Sequence, residues 1–565
     1  MWRSRAILCC LCVSFIFKCD AQQYGFAVSF SDKHGTGSIS SPLAFLSQRS
    51  IDRRNTQHLL VDSTDLPVRQ QYIDSVLQLT GGVLHVVSKW LNLCVILVPD
   101  SSTIVNLRSQ SFITNVKWVG YYSATQHLKT TPTGKTTAEM NTLQAAKTTG
   151  SSGYYGLTYS QTALVHGDYL HDQGYKGEGK LIAVLDEGFV HADIHPGLYN
   201  MRQSGQMVDQ HDFVYKTSNV YSYADHGFGC LSTMAGNTPG HYVGSAPNAE
   251  YALYVTENLI NDQPIELYSL LAGTERADSV GADIISASIG YDLFDPPMNG
   301  ASFVFARDFD GRTTVAAKAA NYATSKGMLF VATAGNDAGF PGWTGQILTP
   351  GDADSALTIG NVDLTETVDA SSGLGPNVAG VMKPDVCGMG VDAYVLYQDS
   401  IYGTATGTSL STPQIAGWAA CLWQAYPGAT PYMIRHAIDQ SADHYNNPGP
   451  SIGKFGLGYG VPNFQTAMQI LSVTNPPDPY KTNWISVIPN PAKDVLHLFV
   501  NSQTAETFSF VLSDLNGKVV GNSKSQVSAG LKMNIDLPIP NIPSGIYMLH
   551  AVGSRQEQVI KVVKD

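Results

Sequence analysis

Gly403-Thr404-Ala405-Thr406-Gly407-Thr408-Ser409-Leu410-Ser411-Thr412-Pro413, followed by Gln414-Ile415-Ala416-Gly417-Trp418-Ala419-Ala420-Cys421-Leu422-Trp423-Gln424-Ala425, decides how this chain is read. A glycine-rich turn runs into small and apolar residues, the pattern of a buried helix. Pro413 is expected in the first helical turn, where its missing N–H costs nothing. Ser409 is then expected at the helix N-terminus, where free N–H groups and the positive dipole end favour a developing oxyanion. Taken alone, the same turn also describes a capped buried helix without chemistry.

A serine nucleophile needs a base, and the base needs an orienting carboxylate. The apolar run Leu181-Ile182-Ala183-Val184-Leu185 reads as a buried parallel strand and ends in Asp186-Glu187-Gly188. Further on stands Asp225-His226-Gly227-Phe228-Gly229-Cys230-Leu231-Ser232-Thr233-Met234-Ala235-Gly236, then Gly244-Ser245-Ala246-Pro247-Asn248-Ala249. A second buried-strand run, Met328–Ala334, ends in Gly335-Asn336-Asp337, and a third, Ala282–Ala287, continues into Ser288-Ile289-Gly290. Asp186, Gly290 and Asn336 each fall at the carboxyl end of a predicted strand, where ligands bind in open α/β sheets.

These segments resemble the signature motifs of the subtilisin-like serine peptidases (subtilases), and the chain order Asp, His, Ser is the one found in subtilisin. The resemblance implies Ser409 as nucleophile, His226 as general base, Asp186 as its orienting partner and Asn336 as an oxyanion donor. It also implies that the backbone of Ser288, Ile289 and Gly290 pairs with extended substrate as an added strand. Two positions depart from the family pattern: Glu187 follows the aspartate, and Gly229 stands where the family commonly has a second histidine. That weakened histidine motif leaves open an alternative, a catalytically silent subtilase fold serving as a surface adhesin or binding module.

At 565 residues the chain suggests about three domains. Hydrophobic residues make up 43% and charged residues 14%, which indicates a well-buried globular protein. The formal net charge of −12 and the lack of a basic stripe argue against nucleic acid as a partner. Arg3 and Arg5 precede the apolar run Ala6–Phe17, and a small residue, Ala21, marks a cleavage point, so residues 1–21 read as a signal peptide. That run is too short to span a membrane, and no transmembrane segment is expected elsewhere. A lipid anchor at Cys19 is disfavoured by Lys18 before it.

Four cysteines leave with the signal peptide and Cys94 falls in the next segment. Cys230, Cys387 and Cys421 remain, an odd set without metal-ligand spacing, each expected to be a small buried hydrophobe.

Residues 22–125 mix strand runs (Tyr24–Phe30, Val83–Val87, Trp90–Val98, Phe112–Val119) with a helical stretch, Ser47–Arg54, and resemble a subtilase propeptide; a permanent accessory domain is the alternative. Residues 126–150 have linker composition, 151–473 form the catalytic domain, and the Pro-rich 474–480 is a second linker. Beyond it, Val495–Val500, Phe508–Gly517, Ile546–Val552 and Gln558–Lys564 suggest a β-sandwich over 481–565. Pro489-Asn490-Pro491-Ala492, Asp514-Leu515-Asn516-Gly517-Lys518 and Pro543-Ser544-Gly545-Ile546-Tyr547 resemble the sorting domain of the type IX (Por) secretion system.

The expected fold is therefore α/β: a subtilisin-like parallel sheet flanked by helices, with an N-terminal α+β propeptide and a C-terminal β-sandwich. The expected function is a secreted or surface-exposed serine endopeptidase, exported through the periplasm. Protein or peptide substrates and the type IX machinery are its expected partners. No organic cofactor is implied. The family resemblance makes structural calcium possible, but no Asp-rich ligand loop assigns a site.

Overall fold

The fold is described from a computed structural model covering residues 23–122, 153–259, 262–295, 305–339, 345–398, 401–446, 456–473 and most of 485–564. The signal segment 1–21 and the linkers 126–150 and 474–480 lie outside the described residues. The chain divides into two compact units, 1–471 and 472–565.

The first unit opens with β1 (Gln23–Phe30), α1 (Gln48–Thr56), α2 (Gln70–Thr80), β2 (Val83–Ser88), β3 (Leu93–Val98) and β4 (Ile113–Tyr122). The strands form an antiparallel sheet in the order β2-β3-β1-β4. Ser47 caps α1 by accepting from Ser50 N, as its position before a helical stretch leads one to expect. Helix α2 was not expected; it buries Ile73 and Val76 and ends at Gly81, whose φ of 63° needs a residue without Cβ strain. The predicted strand at Trp90–Val98 begins only at Leu93, because Asn92 turns the chain with a φ of 50°. The two sheet faces bury different cores. Val28, Ile96 and Val98 pack with α2, whereas Ala27, Val95 and Leu97 join the large core of the rest of the unit.

That larger part is built on a seven-stranded sheet: β5 (Leu181–Asp186), β6 (Met207–Asp212), β7 (Glu250–Val255), β8 (Ile284–Ala287), β9 (Leu329–Thr333), β10 (Leu357–Val362) and β11 (Val386–Met389). Every neighbouring pair is parallel, in the order β11-β10-β9-β8-β5-β7-β6. Strands β5, β8 and β9 are buried throughout, which is why their sequences are continuous apolar runs rather than alternating ones. The chain runs outward from β5 to β6 and β7, then crosses back to lay β8 on the other side of β5. The strand order therefore reverses between β5 and β8, and a crevice opens beyond their carboxyl ends. Helices α3 (His226–Ala235), α4 (Glu266–Val280), α5 (Val315–Ser325) and α6 (Thr408–Ala425) pack on this sheet.

Pro413 departs from expectation. Helix α6 starts at Thr408, so Pro413 is an interior residue of the second turn and not a first-turn residue. Its missing N–H leaves the carbonyl four residues earlier, that of Ser409, without its helical donor.

The second unit pairs Ile485–Ile488, Val495–Asn501 and Lys532–Pro538 in one antiparallel sheet. Val519–Val527, Glu506–Asp514, Gly545–Val552 and Glu557–Lys564 form another. Leu496, Leu498, Val500, Phe508, Phe510, Leu512 and Leu549 fill one core between them, which makes a β-sandwich. The predicted strand Phe508–Gly517 stops at Asp514, where Gly517 N and Lys518 N turn back onto Asp514.

Candidate active site

Asp186 ends β5, Ser288 follows β8, and Asn336 follows β9, so parallel register brings the three to one edge of the sheet. Ala287 stands opposite both Leu185 and Ala332. His226 is the first residue of α3, and Ser409 the second of α6.

Asp186 is fully buried, and its Oδ1 accepts from His226 Nδ1 at 2.7 Å and from Glu187 N at 2.9 Å. Its Oδ2 is also buried and has no hydrogen-bond partner among the described residues. Burial opposes protonation of His226, but the Asp186 carboxylate and the Cys230 thiol outweigh it and lift the imidazole well above its ordinary pKa. Gly227 permits this approach, since a Cβ there would fall 2.7 Å from Asp186 Cβ and 2.5 Å from Gly188 O. At Gly229, the departing position of the motif, a Cβ would meet nothing within 4 Å. The missing side chain leaves the Asp186–His226 contact untouched.

The Ser409 carbonyl freed by Pro413 is taken up from outside the helix. It accepts from the Ser288 hydroxyl at 2.9 Å and the Cys230 thiol at 3.3 Å. Cys230 is thus buried as expected, yet it is more than a small hydrophobe: it ties the serine to the histidine helix. The side chain of Ser288 positions the serine segment, a role separate from that of its backbone. Cys387 and Cys421 are buried and free, their thiols directed to the Gly456 and Ser245 carbonyls.

Asn336 is oriented by a chain of hydroxyls. Its Oδ1 accepts from Thr408 N and Thr408 Oγ1, both at 2.8 Å, and the Thr408 hydroxyl lies 2.6 Å from that of Thr333. With Oδ1 committed, Nδ2 is left to donate, and it has no partner among the described residues. A Cβ on Gly407 would fall 3.1 Å from Ser409 Oγ and 3.4 Å from Asn336 Nδ2. Hydroxyl and amide therefore face the same small space, which a glycine keeps clear. The Ser409 hydroxyl makes no hydrogen bond among the described residues; the bond to His226 that base catalysis requires is one that often tightens only with substrate.

Asp186, His226 and Cys230 offer ligand atoms within 4.8 Å of one another, the one such cluster of three among the described residues. That mixed nitrogen, sulfur and oxygen set does not fit calcium, which takes six to eight oxygens.

Sequence comparison agrees with this architecture. Residues 177–460 match the Subtilase family, residues 25–136 the Peptidase S8 propeptide domain of Bacteroidota, and residues 486–565 the secretion system C-terminal sorting domain. Subtilisin DY of Bacillus licheniformis is 29% identical over 312 residues, 54% of this chain and 97% of its own length. The thermophilic serine proteinase of Bacillus sp. (strain AK1) is 28% identical over 316 residues, 55% of this chain and 68% of its own. Among solved structures, that of MycP1 with the N-terminal propeptide removed covers 55% of this chain and 96% of its own, at 21% identity and a TM-score of 0.42.

Proposed function

The chain belongs to the subtilase family as a serine endopeptidase with a propeptide and a type IX sorting domain, and we propose that Ser409, His226, Asp186 and Asn336 carry out its catalysis. Ser409 Oγ attacks the scissile carbonyl while neutral His226 takes its proton, later returning it to the leaving amine. Asp186 fixes the imidazole tautomer through Nδ1 and stabilises the imidazolium that forms. Asn336 Nδ2 and the Ser409 N–H receive the oxyanion at the dipole-positive end of α6. The backbone of Ser288, Ile289 and Gly290 holds the substrate chain as an added strand. The observation that carries this reading is the convergence of the Asp186–His226 pair, at 2.7 Å, with a serine and an amide NH₂ without a partner among the described residues, at the carboxyl edge of a parallel sheet.

Export to the surface or beyond follows from the sorting domain, and no described helix is long and apolar enough to cross a membrane. Residues 22–125 are read as a segment cut away on maturation, and 474–480 as the spacer before the sorting domain.

The test is labelling with a fluorophosphonate together with peptide hydrolysis. The label should attach to Ser409, and Ser409→Ala should lower turnover by on the order of 10⁶ while Ser411→Ala does not. A protein that takes no label and cleaves nothing would instead be the silent, binding form of the fold. The Ser409→Ala protein should also retain residues 22–125 if maturation is autocatalytic.

A further inference from the structure

Leu348 lies between the two segments proposed to hold the substrate. Its backbone N donates to Ala334 O at 3.1 Å, on the β9 side, and the next residue, Thr349, exchanges backbone hydrogen bonds of 2.9 and 3.3 Å with Tyr291, on the β8 side. The side chain crosses from one to the other. A Cβ at Gly290 would fall 2.8 Å from Leu348 Cβ and 3.0 Å from its Cδ1. One at Gly335 would fall 2.5 Å from its Cγ and 2.8 Å from its Cδ1. Both are closer than packed carbons tolerate, so the isobutyl group already fills the space that any larger residue at 290 or 335 would need. Leu348 is only 7% exposed and is held on both sides by backbone, so it has little room to swing away.

This inference rests on the proposed catalytic reading. A substrate residue whose carbonyl lies between Ser409 Oγ and Asn336 Nδ2, with its chain beside Ser288–Gly290, directs its side chain into the gap between 288–290 and 333–336. Gly290 and Gly335 face this gap from its two sides, and the Leu348 side chain lies against both. We propose that Leu348 is a specificity-determining residue that closes this pocket short, so that the enzyme cleaves after small residues such as alanine and rejects aromatic ones. Misfits of even one methylene in an apolar pocket change kcat/KM about 10- to 200-fold, and a phenyl ring exceeds that difference.

The experiment uses the matured, secreted enzyme, with active sites counted by fluorophosphonate, on two peptides that differ only in having Ala or Phe on the acyl side of the cleaved bond. The expected kcat/KM ratio favours Ala by at least about tenfold. Leu348→Ala and then Leu348→Gly should move the ratio toward Phe in that order, by about tenfold or more in total, mainly through a gain on the Phe peptide. If one variant fails to fold, its lost label reveals this, and the wild-type ratio with the other variant decides. A labelled wild-type enzyme that cleaves after Phe as well as after Ala overturns the pocket assignment alone, as do two labelled variants that keep the wild-type ratio. Absence of label at Ser409 overturns the catalytic reading, and this inference falls with it.

Discussion

Asn336 shows how a single side chain is made ready by its acceptors. Two donations from Thr408, both at 2.8 Å, consume the carbonyl oxygen and so fix which end of the amide faces Ser409. The amide needs no reorganisation when negative charge develops, which is the condition under which a donor lowers a barrier. Asn336→Ala should therefore reduce kcat by about a hundred- to a thousandfold and leave KM nearly unchanged, read by steady-state kinetics on one peptide. A loss carried by KM instead would move Asn336 to ground-state binding. The four proposed catalytic residues could be picked out in the sequence because each sits inside a short motif, Asp186 and Asn336 after an apolar run, Ser409 before one and His226 in a Gly-rich segment. The groups that position them were not. Ser288 and Cys230 reach the Ser409 carbonyl from 121 and 179 residues away, and the vacancy they fill exists only because Pro413 lies deeper in its helix than the turn chemistry implies. Leu348 stands in no motif, and its closeness to Gly290 and Gly335 is a product of the fold.

Between elements, the decisive contact is the docking of α1 on the ends of α4 and α5. Arg53 Nη2 donates to Asp278 Oδ1 at 2.6 Å, Arg54 Nη2 to Asp278 Oδ2 at 3.0 Å, and Lys89 Nζ to the same oxygen at 3.1 Å. These three cations surround one fully buried carboxylate, and although burial opposes its ionisation, they hold its pKa well below the usual carboxylate range. Arg53 also reaches the Ala282 and Lys326 carbonyls, and Gln57 the Gly327 carbonyl, just beyond the C-termini of the two helices, where donors and positive charge are favoured. Removing one partner of such a cluster strands the others, so Asp278→Asn should weaken docking of the 23–122 segment by about 3–5 kcal/mol. Hydrogen exchange of the backbone over 84–97 in the full-length chain should accelerate accordingly, and an unchanged exchange rate would show that apolar contact alone holds the segment. Helix α1 and the strands around it could be read from local pattern. The pairing of Arg54 with Asp278 could not, because Asp278 lies 224 residues away. Val519–Val527 resisted reading for a related reason. Its Gly521-Asn522-Ser523-Lys524-Ser525 has the composition of a loop, and it is a strand through register pairing with Glu506–Asp514.

Across the whole molecule, the cores differ in how they are shared. Ala27, Val86, Trp90 and Val95 of the N-terminal segment belong to the same apolar cluster as β5, β8 and β9. By contrast, the described core of the C-terminal sandwich draws only on residues between Ile485 and Val562. A segment that shares a core can assist folding and must be cut free, whereas one with its own core can be removed without opening the other. The proposed catalytic residues all lie before residue 410, and the sorting match begins at residue 486. Truncation before Pro476 should thus give a purified enzyme whose kcat/KM is within about twofold of the full chain, since the two described cores are separate apolar clusters. The same truncation should strand the peptidase in the periplasm, while residues 481–565 behind a signal peptide should carry a reporter out of a type IX-competent host. Fractionation with an activity assay on each compartment separates the possibilities. Outward passage of the truncated enzyme would remove the export role from the sandwich, and loss of activity in the pure truncated protein would mean that the sandwich supports the catalytic part after all.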